Sequence, residues 1–376
     1  MVSIWPLLIF VKGMIFMDAF IAFSQLVVTF VVGTYFFTRL KNESGTEKQF
    51  KSEYKREAEL LNKMRHIHLS EPMTESVRPS SVSEIIGQED GLRALKSALW
   101  GKYPQHVIIY GPPGVGKTAA ARVILEEVKK SPMTPFSKEA PFIEADASVM
   151  RCDEHGFTDP LIGSVHDPIY QGSGAFGQNG IPQPMPGAVS RAHGGVLFLD
   201  EIGELPNEQL NKLLKVLEDR RVLLESSYYS SSNKKIPAYI RDMFENGLPA
   251  DFRLIGATTR SPETIPEAVR SRCVEIYFNP LMREDILSII KQAQIRCGIL
   301  TDKGVNECIA DYAKNGRDAI KILQSAMNLV RMEGRPSISM DDAKWVIASS
   351  KYRRNKDLYT KDGGKIIDIS LIKPLN

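Results

Sequence analysis

The sequence predicts an α/β fold built on a buried parallel sheet, with one transmembrane helix ahead of it. Two observations lead there. Five short apolar runs bounded by turn residues, the pattern of strands buried on both faces, recur between His106 and Phe278, and the first passes through a glycine-rich turn into a helix-forming stretch. Ahead of them, Ala19 to Phe37 gives 19 consecutive uncharged, mostly apolar residues, enough to cross about 30 Å of hydrocarbon as a helix.

Composition sets the outer limits. The chain has 376 residues, room for about two globular domains. At 43% hydrophobic, 25% charged and 8% aromatic it is neither collagen-like, low-complexity nor wholly disordered. A net charge of +3 is too small to argue for nucleic acid on charge alone. Cys152, Cys273, Cys297 and Cys308 include no C-x-x-C pair. A disulfide framework or zinc ribbon is therefore not expected, and a reducing compartment fits.

In chain order, residues 1–38 are apolar apart from Lys12 and Asp18, and Arg39, Lys41, Lys48, Lys51, Lys55 and Arg56 follow. Basic residues on that side keep what comes after in the cytoplasm. The expectation is a single-pass anchor in the cell membrane over residues 1–40, with the remainder cytoplasmic. A cleaved signal peptide would carry its basic residues on the other side and end in a small-residue A-x-A site, which is not seen. Met1, Met14 and Met17 each stay open as the true start. Residues 41–81 are charged, then rich in Ser, Pro and Glu, and read as a linker with one short helix over Glu53–Lys63.

The first apolar run, His106–Tyr110, leads into Gly111-Pro112-Pro113-Gly114-Val115-Gly116-Lys117-Thr118 and the helix-forming stretch Ala119–Lys130. This is G-x-x-x-x-G-K-[ST] in its strand–loop–helix context. The glycines let backbone N–H groups surround phosphate oxygens at a helix N-terminus, where the dipole favours an anion. Lys117 then neutralises the β- and γ-phosphates, and the Thr118 hydroxyl ligates Mg²⁺. Further on, Gly195–Leu199 is an apolar strand ending in Asp200 and Glu201. Asp200 is suited to holding hydrated Mg²⁺ and Glu201 to polarising the attacking water. A third strand, Arg253–Thr259, ends in two hydroxyls at the carboxyl edge of the sheet, where ligands gather in open α/β folds. Phe142–Ala147 and Val274–Phe278 complete the five, and Arg270 and Arg272 precede the last of them.

Ile85-Ile86-Gly87-Gln88, GPPGVGKT, VLFLDE, GATTR and SRC, in that order, resemble the motif set of the AAA+ ATPase family over residues 82 to about 350. Within that family the segment Asp159–Gly195 and the apolar N-terminus are similar to the B-type bacterial Lon proteases. The resemblance implies an αβα sandwich over 82–278, a small helical lid over 279–350, a tail over 351–376, and a hexameric ring. It casts Gly111 to Thr118 as the nucleotide loop, with ATP and Mg²⁺ as ligands and Thr118 and Asp200 on the metal. Ile86 and Gln88 would hold the adenine, and Lys117 and Glu201 would act in hydrolysis. Thr259 falls at the family's polar sensor, with Thr258 as the open alternative. Arg272 matches the finger that reaches a neighbouring subunit, with Arg270 second. Arg317 matches the lid arginine that senses the γ-phosphate.

The lid also reads from the residues alone. Ile320, Leu323, Met327 and Val330 recur at helical spacing after the Asn315-Gly316 turn, and Ser339 with Asp342 forms a capping box opening another helix. The family's peptidase domain, with its Ser–Lys dyad, needs about 190 residues by ordinary domain size, and nothing after Ser350 resembles its start. The expectation is a chain that hydrolyses ATP without cutting peptides, either truncated or working with a separate peptidase. A sporulation role belongs to the resemblance alone.

Weaker signals complete the reading. Asp159–Gly195 is too long for an ordinary connection. It is either a pore insertion, with Tyr170 and Phe176 as aromatic paddles, or a packing loop. Tyr228–Lys235 is either a polar loop before the third motif strand or, in a ring, a second pore-facing segment. Cys152, Asp153, Glu154, His155, His166 and Asp167 match no standard zinc spacing. The expected partners are further copies of the chain, unfolded protein substrates and the membrane. Nucleic acid is not expected, because no aromatic-interleaved basic patch appears. A DNA-translocating motor, favoured by the GATTR strand and by the use of pore insertions in DNA translocases, is the alternative.

Overall fold

The computed structural model describes residues 25, 29–35, 59–66, 69, 71–150, 159–167, 181–233 and 236–354, and the backbone of strands 359–362 and 365–368. The chain divides into two compact units, Met1–Glu71 and Pro72–Asn376.

In the first unit, residues 29–35 and 59–65 are helical. Phe30, Val31, Val32 and Tyr35 are exposed. Among the described residues no helix is long and apolar enough to cross a membrane. Most of the stretch expected to form the anchor, residues 19–37, lies outside the described residues.

In the second unit, five strands form one parallel sheet: β1 (His106–Tyr110), β2 (Phe142–Asp146), β3 (Val196–Asp200), β4 (Arg253–Thr258) and β5 (Cys273–Tyr277), in spatial order β2-β3-β4-β1-β5. All five coincide with the apolar runs read from the sequence. Alternate residues of each strand enter two different cores. Val107, Ile109, Phe198 and Ile255 pack with α1 (Glu89–Leu99) and α2 (Lys117–Val128), whereas Ile108, Leu197, Leu199 and Leu254 pack with α3 (Asn207–Asp219). Helices cover both faces, so the strands are apolar throughout rather than alternating. The order places β4 between β3 and β1, and the chain leaving β1 turns into α2 at their carboxyl edge. This is the switch point where α/β folds bind ligands.

Two insertions leave the sheet. Gly163–His166 pairs antiparallel with Gln183–Pro186, and Arg221–Val222 with Leu248–Pro249, the latter pair enclosing α4 (Ala238–Asn246). Ser226 Oγ donates to Asp167 at 2.5 Å, tying the two insertions together, and Tyr229 stacks on Phe244 with ring centroids 4.3 Å apart. Tyr170, Phe176 and Cys152–His155 lie outside the described residues.

Four helices follow: α5 (Arg283–Cys297), α6 (Val305–Tyr312), α7 (Gly316–Met332) and α8 (Met340–Ser349). The Asn315 side chain caps α7 by accepting from the Asp318 N–H at 2.9 Å, and the Ser339/Asp342 capping box opens α8 as expected. Ile290, Ile309, Leu323 and Val346 join these helices, in a core continuous with the α1/α2 side of the sheet. Two stretches differ from the composition-based reading. Residues 72–81, read as linker, belong to the same compact unit as the sheet, with Met73 buried in its core. In the tail, backbone strands Tyr359–Asp362 and Lys365–Asp368 pair antiparallel.

Candidate functional site

The loop 111–116 runs from the end of β1 to the start of α2. Gly114 has φ +74° and Gly116, the residue before the helix, φ +96°, values that side-chain-bearing residues rarely adopt. The loop thereby wraps the N-terminus of α2 instead of continuing the strand. Lys117 is buried. Its ammonium folds back onto the loop, donating to the carbonyl oxygens of Gly111 at 2.6 Å and Pro112 at 3.1 Å. Burial pushes its pKa down, the carboxylates of Glu201 and Asp200 oppose the shift, and the guanidinium of Arg317 adds to it.

Beside this loop, β3 delivers Asp200 and Glu201. Burial, then the adjacent Glu201 charge, push the Asp200 carboxyl up, and Lys117 pulls it back. Glu201 sits at φ +51°, a strained conformation for a residue with a side chain. Its carboxylate accepts from both the N–H (3.0 Å) and the hydroxyl (3.1 Å) of Thr259 just beyond β4. Thr258 is fully buried and its hydroxyl accepts from the Arg260 N–H. Of the two threonines left open by sequence, Thr259 is therefore the one facing the carboxylate pair.

A cavity of about 350 Å³ gathers most of these groups, though not Gly111, Pro112 or Thr259: Pro113 to Ala119, Asp200 and Glu201 line one end, with Gly316 and Arg317 from the start of α7. Ile85, Ile86, Leu281, Ile289 and Ile320 give it apolar walls, and Thr74, Glu75, Val77, Arg78 and Pro79 complete it. One end thus carries a buried ammonium, two carboxylates, a hydroxyl at Thr118 and a guanidinium, while the rest mixes apolar side chains with Thr74, Glu75, Arg78, Glu84 and Gln292. The residues fit a ligand with a polyanionic tail and a flat apolar head. A divalent cation there would relieve the carboxylate repulsion that raises Asp200.

Not every expected residue lines this cavity. Ile86 does, but Gln88 does not. Its buried carboxamide is consumed by the Asn279 backbone, donating to the carbonyl at 2.7 Å and accepting from the N–H at 2.9 Å. Its side chain ties the start of α1 to the chain leaving β5. Arg272 is also remote, paired with Glu218 on α3 and donating to the Ala268 carbonyl at 2.8 Å. Arg270 pairs with Glu275 at 2.6 Å. The strap 74–79 and the position of Asn315 against Gly114, whose absent Cβ would fall 2.7 Å from Asn315 Oδ1, escaped the sequence reading. Both depend on packing between distant segments.

With this geometry established, comparison with known proteins is informative. The family described as magnesium chelatase, subunit ChlI, matches residues 81–275. Lon protease 2 of Bacillus subtilis (strain 168) is 54% identical over 333 residues, 88% of this chain and 60% of that protein. YifB of Salmonella typhimurium, described as uncharacterized, is 29% identical over 208 residues, 54% of this chain and 36% of that protein. The chain therefore spans less than two thirds of either relative. Among solved structures, the Thermotoga maritima RuvB Holliday junction branch migration motor aligns with 22% identity and a TM-score of 0.47, covering 73% of each chain.

Proposed function

The chain belongs to the magnesium chelatase subunit ChlI family of AAA+ ATPases, and from that premise we propose that it is a Mg²⁺-dependent ATP-hydrolysing motor that acts on protein substrates. One observation carries the reading: Lys117, Thr118, Asp200, Glu201 and Arg317, contributed by the head of α2, a strand end and a lid helix, converge on one cavity.

Each residue has a definite task in this proposal. The N–H groups at the head of α2 and the Lys117 ammonium bind the β- and γ-phosphates, exchanging the Gly111 and Pro112 carbonyls for phosphate oxygens. Thr118 and Asp200 would hold Mg²⁺, which when bound neutralises charge on the phosphates. Glu201 orients the attacking water, and its bonds to Thr259 hold the carboxylate in place until that work begins. Arg317 brings lid charge to the phosphate end. Arg272 does not line its own chain's cavity, which suits a residue serving a neighbouring subunit's site in a hexameric ring. Catalysis here is positioning and electrostatics with little covalent work by the protein.

The direction toward protein substrates rests on similarity to Lon protease 2 over most of this chain. That relative is by name a protease, and the residues of this chain account for a nucleotide-driven part of such an activity. We also place residues 19–37 in the cell membrane as a single-pass anchor with the ATPase cytoplasmic, on the length of the apolar stretch and the basic residues behind it. The test is phosphate release by the chain with ATP and Mg²⁺, against Lys117→Ala and Glu201→Gln. The reading requires that Lys117→Ala lose nucleotide binding and that Glu201→Gln bind without turning over. Turnover at the parental rate in either variant refutes it.

A further inference from the structure

Outside the nucleotide cavity, one carboxylate joins the end of β1 to the arginines ahead of β5. Glu275, within β5, accepts at Oε1 from Arg270 Nε at 2.6 Å and from the Tyr110 hydroxyl at 3.1 Å. Those bonds, led by the one from Arg270, hold its carboxyl below the usual range against the opposing effect of burial. Tyr110 is buried, stacks on the ring of Tyr277 with centroids 5.1 Å apart, and directly precedes Gly111, whose carbonyl receives Lys117. Neither Tyr110, Arg270 nor Glu275 lines the cavity. The two arginines are held in different ways. Arg272 spends both terminal nitrogens within its own chain, Nη1 on the Ala268 carbonyl and Nη2 on Glu218. Arg270 is gripped through Nε alone, and among the described residues its Nη1 and Nη2 make no hydrogen bond. Its side chain is 32% exposed.

A guanidinium held at Nε keeps its orientation while the fork of its terminal nitrogens stays open, which suits two oxygens of a phosphate. We propose that Glu275 is a positioning residue that readies Arg270 for the nucleotide phosphates of a neighbouring copy, and that Tyr110 ties this grip to the phosphate loop of its own copy. This rests on the reading of the chain as an ATP-hydrolysing ring. Lys117 leaves the Gly111 carbonyl when phosphate arrives, and Gly111 is covalently next to Tyr110. Loading one site therefore bears on the arginine offered to the next.

The test is turnover of the full chain with ATP and Mg²⁺, for the parent, the near-isosteric Glu275→Gln, Tyr110→Phe and Arg270→Ala. Glu275→Gln is expected to lower kcat roughly tenfold with KM for ATP within about twofold, and Tyr110→Phe to lower kcat roughly threefold. Because the grip acts through Arg270, the double variant Arg270→Ala/Glu275→Gln should be no slower than Arg270→Ala alone. Mixing separates a role toward the neighbour from a role inside the chain. Glu201→Gln chains, inactive at their own site but carrying an intact Arg270, should raise the rate of Glu275→Gln chains. The rise should be roughly threefold or more over the rate with Glu201→Gln/Glu275→Gln chains as partners. Equal rates with the two partners would overturn the proposal, as would a parental kcat in Glu275→Gln or additive losses in the double variant. Should Glu275→Gln not fold, Tyr110→Phe, which removes a single oxygen, is mixed with Glu201→Gln and with Glu201→Gln/Tyr110→Phe chains. A difference of about twofold is then expected, and no difference overturns the proposal. A parent that does not hydrolyse ATP would instead overturn the ATPase reading.

Discussion

Replacing Gly114 by alanine attacks the contact between the phosphate loop and the lid. Gly114 sits at φ +74°, and an added Cβ would lie 2.7 Å from Asn315 Oδ1 and 3.1 Å from Asn315 Cβ. Two costs follow. Holding alanine in the left-handed region costs about 1–2 kcal/mol. Pushing Asn315 aside breaks its bond to the Asp318 N–H, and losing such a cap costs about 1 kcal/mol. Gly114→Ala should therefore destabilise by about 2–3 kcal/mol, lowering the melting temperature by roughly 5–10 °C. It should also weaken nucleotide binding, because Arg317 rides on the helix turn that Asn315 caps. Asn315→Ala alone should cost the cap, about 1 kcal/mol. In the double variant that cap is lost only once, so the two changes should fall short of additivity by about 1 kcal/mol in a denaturation cycle. Additivity within about 0.4 kcal/mol would refute the contact.

Other expectations follow from single residues. Glu201→Gln should keep nucleotide affinity within about threefold and reduce phosphate release by roughly 100-fold or more, measured with the same preparation. Arg272→Ala should slow turnover by roughly 1000-fold, and mixing it with Glu201→Gln chains should restore part of the rate, since the second variant still offers a finger to the first. No recovery on mixing would remove Arg272 from an intersubunit role. His106 is partly buried and its ring accepts from the Leu254 N–H at 3.0 Å. Burial first, then the Arg253 charge, bring it down to about 4 from 6.5. The unfolded chain takes up this proton below about 6.5, so the stability is complete above that pH and is lost on acidification toward 4, by up to about 3 kcal/mol. His106→Gln keeps an acceptor without titrating, and its stability between pH 7 and pH 4 should fall less than the parent's in denaturant melts. Equal slopes would exclude the histidine.

Much of the fold is legible in the chain because central parallel strands are apolar on both faces. HVIIY and VLFLD declare themselves without a partner, and the glycines of the phosphate loop fix their own turn. The start of α7 is equally local: Asn315 caps within four residues. What stays hidden is long-range. Gln88 resembles a ligand residue in sequence, yet the Asn279 backbone nearly two hundred positions away takes its carboxamide. Thr258 and Thr259 are equivalent as letters, and only the end of β4 between them decides that one is buried and the other bonds Glu201. Residues 72–81 have linker composition because a strap on a surface needs few apolar groups. Met73 and the single guanidinium of Arg296 are enough to dock it.

The central claim is a nucleotide-driven motor directed at protein. It is tested most directly by the rate of Mg²⁺-dependent ATP hydrolysis by the full chain, parent against Lys117→Ala, with an unfolded protein such as casein or with DNA added. The account predicts turnover that rises with casein, ignores DNA and disappears in Lys117→Ala. A rate raised by DNA in a salt-dependent manner and untouched by casein would contradict it.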